Sequence, residues 1–336
     1  MAFFDLPLDE LRAYRPAIAE PDDFEEFWRA SIAEVSTHDL AVEVTPIDNR
    51  QSQVDAFDIS FAGWGGARVR GWLLVPAGAT SPRPGVVHFV GYNGGRGLPL
   101  GTPWVADGNV QLIMDTRGQG WNTMGIFDGT DDDDPAAGAS SVSGWMTRGI
   151  RSRETYFYRR VFIDALRAVQ VARTLPQVDP SKLFTQGGSQ GGGIAIAATG
   201  LAQLAGVSLS GAMIDVPFLC HFNRAMTLVD THPYKELSGY LRSRPTEEQA
   251  VANVLSYFDG VNLAKRALAP TMFSVGLMDQ ICPPSTVFAA YNQWGALHEE
   301  RPDTDIRIYS HAGHEGGREL QVWEHLGWMH SVLKGD

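Results

Sequence analysis

Two early stretches, Val54 to Phe61 and Val69 to Val75, alternate apolar and polar residues, and this period of two predicts an antiparallel pair of strands. Beyond Gly85 the pattern changes. Short runs at 85–90, 111–115, 182–186, 271–275 and 305–309 read as strands, each emptying into a loop rich in turn residues. Between the second and third of these, Phe157, Val161, Phe162, Ala165, Leu166 and Val169 recur at helical spacing and predict a core-facing stripe; that is packing, not a cofactor box. Acidic residues at Asp22, Asp23, Glu25 and Glu26 predict a helix start near Phe24, where they complement the helix dipole. Strand, loop and helix in repeated order predict an α/β fold with a mostly parallel central sheet flanked by helices. The chain reads as a single domain over 1–336, with an N-terminal extension and antiparallel edge over 1–80. A mostly helical, polar-faced insertion over 221–264 is expected near the active site.

Composition supports one sizeable core, with 44% hydrophobic residues, nine tryptophans, no Ser/Pro linker and no internal repeat. Lys and Arg number 27 against 39 Asp and Glu, a net charge of −12 that disfavours nucleic acid and anionic membranes as partners. No stretch approaches the roughly 18 apolar residues of a membrane span. The start Met1-Ala2-Phe3-Phe4-Asp5 has neither a basic region nor an apolar run, and Cys220 and Cys282 make no disulfide framework, so a cytoplasmic protein with two reduced thiols is expected.

The chemistry is concentrated in Gly187-Gly188-Ser189-Gln190-Gly191, a G-x-S-x-G between an apolar strand and an Ala-rich helix. The spacing has a physical reason. A serine lifted clear of a sheet on so sharp a turn needs neighbours without a Cβ on both sides. An activated serine also needs a base and an orienter, which α/β-hydrolases supply in the order Ser, Asp or Glu, His. Asp279 follows the run 271–275, and His314 lies in the glycine-flanked loop after 305–309, so loops at one sheet edge predict Ser189, Asp279 and His314 as a triad. His311 is the alternative base; His325 and His330 fall in a closing helix as packed or surface residues. Asp303 and Asp305 lie at the wrong edge, and Asp259 reads as a solvated cap. An oxyanion hole needs the amide after the nucleophile, that of Gln190, and one from an early strand-to-helix loop, where Tyr92 stands in Gly91-Tyr92-Asn93-Gly94-Gly95. The Tyr92 ring, Phe218 and Ile281 are candidate substrate-binding residues, with core packing an equal alternative for the last two. The run Asp131 to Asp134 lacks the spacing of a calcium loop and reads as solvated, so no metal is expected.

Arg117-Gly118-Gln119-Gly120, the G-x-S-x-G segment and His314-Glu315 together resemble the three signatures of carbohydrate esterase family seven, the acetyl xylan esterases and cephalosporin C deacetylases. Segments 146–150, 215–220 and 279–292 are similar to it too. The resemblance implies an α/β-hydrolase fold, Ser189, Asp279 and His314 as catalytic residues, the Tyr92 and Gln190 amides as oxyanion donors, and no cofactor. It implies removal of acetyl groups from xylooligosaccharides and other small esters by a homohexamer whose sites face an internal cavity. Trp64 and Trp72 are the expected interface aromatics. Arg117 reads as structural, its guanidinium tying loop carbonyls or a carboxylate together. A broader carboxylesterase or a peptidase on the same fold is the alternative, and an inactive sugar-binding or scaffold protein the third reading.

Overall fold

The computed structural model describes residues 3–132 and 143–335. Nine strands form one sheet: β1 (Glu43–Ile47), β2 (Val54–Ala62), β3 (Arg68–Pro76), β4 (Arg83–Phe89), β5 (Val110–Met114), β6 (Val178–Gly188), β7 (Gly211–Asp215), β8 (Thr271–Gly276) and β9 (Thr304–Tyr309). Their order across the sheet is β1-β2-β3-β5-β4-β6-β7-β8-β9. The first three run antiparallel to their neighbours, and β4 to β9 are mutually parallel. Eleven α-helices are described: α1 (Leu8–Ala13), α2 (Phe24–Val35), α3 (Pro103–Ala106), α4 (Phe157–Ala172), α5 (Gln190–Leu204), α6 (Phe222–Leu228), α7 (Tyr234–Ser243), α8 (Glu248–Ser256), α9 (Gly260–Ala264), α10 (Pro284–Asn292) and α11 (Arg318–Lys334).

The sheet is an α/β sheet covered on both faces. Along β4, Val87 and Phe89 enter the main core with α4 and α5, whereas Val86 enters a second cluster with Trp104 of α3 and Met329 of α11. Five buried residues in a row make β5, the signature of a strand covered on both sides. Strand order also fixes where chemistry can sit. After β4 the chain crosses to β5 on one side, then returns to pair β6 with the other side of β4. The loops leaving β4 and β6 therefore flank a crevice at the carboxyl edge, the usual ligand position in such sheets.

Several expectations need correction. The helical stripe of α4 is buried, but it is only part of the helix's burial: Arg160, Asp164 and Arg167 on its polar side are buried as well, because Asp132, the Arg117 loop, the end of β2 and the turn at His38 cover that face. Trp72 is fully buried, its indole N–H donating to Arg96 O at 2.9 Å, and Trp64 lies partly buried under the Arg159 guanidinium, so neither is the exposed strand aromatic expected from the sequence. Asp259 does cap a helix, accepting from Val261 N, but it is buried rather than solvated. It also accepts from His221 N and Phe222 N, and burial raises its carboxyl to about 6. Two strands leave little mark in the sequence: β1, an exposed edge strand that carries Pro46, and β7, only five residues long.

Candidate active site

Ser189 stands between β6 and α5 with φ 57° and ψ −121°, a left-handed conformation forced on a residue with a side chain. Only glycine fits on either side. A Cβ at Gly187 would overlap the backbone of Gly191, and one at Gly191 would overlap the Phe89 carbonyl of β4. The loop after β7 locks the turn, with Ser189 N donating to Asp215 O at 2.9 Å and Phe218 N donating to Ser189 O at 2.9 Å.

Three side chains predicted from different loops meet here. Ser189 Oγ lies 2.9 Å from His314 Nε2, and His314 Nδ1 lies 2.8 Å from Asp279 Oδ2. Asp279 is fully buried, and its other oxygen accepts from Ile281 N at 2.8 Å and Cys282 N at 2.9 Å, so the carboxylate is fixed from below. With Nδ1–H committed to an acceptor-only carboxylate, Nε2 is the acceptor facing the serine hydroxyl. Lacing of the two loops sets this register: Leu277 N donates to Tyr309 O at 3.1 Å and Met278 N to Ala312 O at 3.0 Å. His311 points elsewhere, with its exposed ring 6.0 Å from that of Phe3. His325 is buried beside Gln321, and His330 meets Asp107 at 2.8 Å.

The amides of Tyr92 and Gln190 are the candidate oxyanion donors. As the first residue of α5, Gln190 has no partner within the helix for its N–H. Its buried side chain exchanges hydrogen bonds with that of Gln119, whose Oε1 also accepts from Asn93 N at 2.8 Å. Tyr158 OH closes the group by donating to Gln190 Oε1 at 2.9 Å. Tyr92 OH donates to Glu236 Oε1 at 2.7 Å, and burial together with that carboxylate pushes the phenol far above its ordinary pKa. Phe218 has no exposed surface; its ring stands 6.0 Å from Tyr92 and 4.4 Å from Tyr234, supporting the tyrosine from behind. Ile281 is half-buried beside Asp279.

Tyr158 and Glu236 carry no sequence signal for their place in the site, whereas Gln119 carries one in Arg117-Gly118-Gln119-Gly120, beside the arginine. That arginine is structural in placement: Nε and Nη2 bind the buried Asp164 carboxylate at 2.6 and 2.9 Å. Asp132 is also drawn inward, 2.9 Å from Arg160 and 3.6 Å from Arg117, rather than solvated; Asp133 and Asp134 lie outside the described residues. Cys220 and Cys282 are buried free thiols, and burial pushes both upward in pKa. Asp279, Cys282 and His314 offer ligand atoms within 4.8 Å of one another, but the carboxylate and imidazole are already engaged in the chain to Ser189.

Residues 1–332 match the family described as acetyl xylan esterase (AXE1). Among solved structures, an acetyl xylan esterase from Paenibacillus sp. R4 is 33% identical, with 97% of this chain and 99% of that one covered and a TM-score of 0.86. Acetyl xylan esterase 1 from Thermoanaerobacterium sp. JW/SL YS485 is 30% identical, covering 98% and 99%, with a TM-score of 0.85. A curated relative, acetyl esterase Axe7A of Xylanibacter ruminicola, is 25% identical over an alignment of 303 positions that covers 83% of this chain. The chain spans 61% of that relative's length. An acylaminoacyl peptidase of Pyrococcus horikoshii shares the fold, at 14% identity, coverage of 84% and 41%, and a TM-score of 0.57.

Proposed function

Because this chain belongs to the acetyl xylan esterase family and is a carboxylic ester hydrolase, we propose that it removes acetyl groups from xylooligosaccharides and other small esters, cephalosporin C among them, through an acyl-enzyme on Ser189. What carries the reading is the unbroken chain from Ser189 Oγ to His314 Nε2 at 2.9 Å and from His314 Nδ1 to Asp279 at 2.8 Å. Ser189 Oγ attacks the acetyl carbonyl carbon while its proton passes to His314 Nε2, and the buried Asp279 carboxylate stabilises the imidazolium. The Tyr92 and Gln190 amides hold the oxyanion. Collapse breaks the C–O bond, and His314 returns the proton to the departing sugar oxygen. Water, deprotonated by His314, then attacks acetyl-Ser189 and releases acetate and the free serine.

Acetate release from acetylated xylooligosaccharides, cephalosporin C and esters of increasing acyl length tests the substrate. Fastest turnover on acetyl esters is expected, with a steep fall as the acyl chain lengthens. Equal or faster cleavage of long acyl esters or peptide amides would favour the broader carboxylesterase or peptidase instead.

Only neutral imidazole can take the serine proton, so the reaction needs His314 Nε2 as an acceptor toward Ser189 Oγ.

The proposal extends to a homohexamer with sites on an internal cavity, and to a helical cover over the crevice formed by 221–264. Trp121, Met124 and Ile126, exposed at 55%, 95% and 82% on one loop, supply apolar surface that a neighbouring copy would bury. Two buried free thiols suit a cytoplasmic setting. Light scattering is expected to give six copies, and short acetylated oligosaccharides to outpace polymeric xylan. A monomer with equal rates on both would overturn the assembly and its size filter while leaving the triad intact.

A further inference from the structure

We propose that Glu236 of α7 is the positioning residue of the oxyanion hole, holding the Tyr92 phenol so that the Tyr92 amide stays aimed at the reacting carbonyl. This assignment rests on the acyl-transfer reading above. Glu236 lies far from Tyr92 in sequence, on a helix outside the sheet, yet its carboxylate gathers the oxyanion loop and the segment after residue 142. Oε1 accepts from Tyr92 OH at 2.7 Å and from Gly144 N at 3.2 Å, while Oε2 accepts from Met146 N at 3.2 Å. Trp145 N completes the ring by donating to the Tyr92 oxygen at 3.2 Å. The Glu236 side chain is only 8% exposed. A carboxylate taken so far out of water is retained only where several donors converge on it, and these do.

The loop needs such an anchor. Tyr92 is bounded by Gly91 and followed by Asn93, Gly94 and Gly95, with Asn93 itself at φ 62°, so the local backbone has wide freedom unless fixed from outside. One restraint is the bond from Asn93 N to Gln119 Oε1, which ties the loop to Gln190 and the elbow. Asn93 is held further by its Nδ2 donating to Ser143 Oγ at 3.0 Å and by Trp145 Nε1 donating to its Oδ1 at 2.9 Å, whereas the phenol bond to Glu236 restrains Tyr92 itself. An oxyanion donor acts through pre-organisation, so losing the restraint on Tyr92 itself lowers kcat more than it alters ground-state binding.

The test compares Tyr92→Phe, Glu236→Ala, Glu236→Gln and the Tyr92→Phe/Glu236→Ala double variant on a short acetyl ester, with thermal melting to verify folding. Tyr92→Phe removes a single oxygen and is the variant that keeps the core packing. Both single removals are expected to lower kcat by about 10- to 100-fold with KM changed less than about threefold, below the loss of a whole oxyanion donor. The double variant should be no worse than the poorer single one, since both break the same link. Glu236→Gln, which retains one oxygen for the phenol, should fall between parent and Glu236→Ala. Full kcat in folded Tyr92→Phe and Glu236→Ala, losses confined to KM, or losses that multiply in the double variant would overturn the assignment. Turnover by the parent that does not depend on Ser189 would instead overturn the acyl-transfer reading itself.

Discussion

Ser189→Ala is expected to fold as the parent does and to lose acetyl-ester turnover by about 10⁴-fold or more, because the substitution removes the attacking oxygen and little else. The backbone that strains the turn is held from outside the side chain, by Ser189 N to Asp215 O and Phe218 N to Ser189 O, so the elbow has no need of the hydroxyl. The nearby Cys282 is not poised to replace it: that thiol is buried and pushed up in pKa rather than activated. His314→Ala should be nearly as damaging, whereas Asp279→Asn should retain more rate, since it disturbs the tautomer and orientation of the base without removing a reactant. Steady-state rates and a fluorophosphonate label, with near-ultraviolet circular dichroism as the folding check, measure these effects. A folded Ser189→Ala protein keeping more than about 1% of parent activity would remove Ser189 as the nucleophile. If His311→Ala were the inactive histidine variant, the base would be misassigned.

The parts of the site legible in the sequence are those dictated by local backbone geometry. Gly187 and Gly191 announce the elbow because a Cβ at either would run into backbone, and strand-then-loop order brings Asp279 and His314 to the same edge. The supporting residues leave no such mark. Glu236 reaches Tyr92 across 144 positions, and Tyr158 reaches Gln190 from a helix whose apolar period advertises only packing. Buried charge is equally silent: Asp132 and Asp259 read as solvated because carboxylates usually are, and only the tertiary fold supplies the guanidinium or the amides that allow burial. Trp72 carries the same lesson in reverse. An aromatic in an alternating strand can face either side, and here a loop bearing Arg96 covers it.

The largest expected loss of stability follows from the same buried charge. Asp164→Ala should destabilise the fold by about 3–5 kcal/mol, because it leaves the Arg117 guanidinium in the interior without its bidentate partner. Arg117 and Asp164 side chains are 2% and 1% exposed, so solvent cannot take over the bidentate contact, and Asp132 stands farther off at 3.6 Å while also meeting Arg160 at 2.9 Å. The carboxylate has a further task, accepting Trp64 N at 2.8 Å where the antiparallel edge turns. Gly63 is confined by that contact, since a Cβ there would overlap Asp164 Oδ1. Removing the charge on both partners is a different experiment. Arg117→Met with Asp164→Leu removes the desolvated pair together, so the double variant should cost less than the sum of the two single ones. Urea unfolding monitored by tryptophan fluorescence gives the comparison through midpoint and slope. Additive losses would mean that the two side chains act independently. A loss below about 1 kcal/mol for Asp164→Ala would mean that other groups carry the Arg117 charge. Because Arg117 stands two residues before Gln119, the pair also steadies the segment that links Asn93 to Gln190, and folded Asp164→Ala protein should show reduced kcat alongside its lower stability.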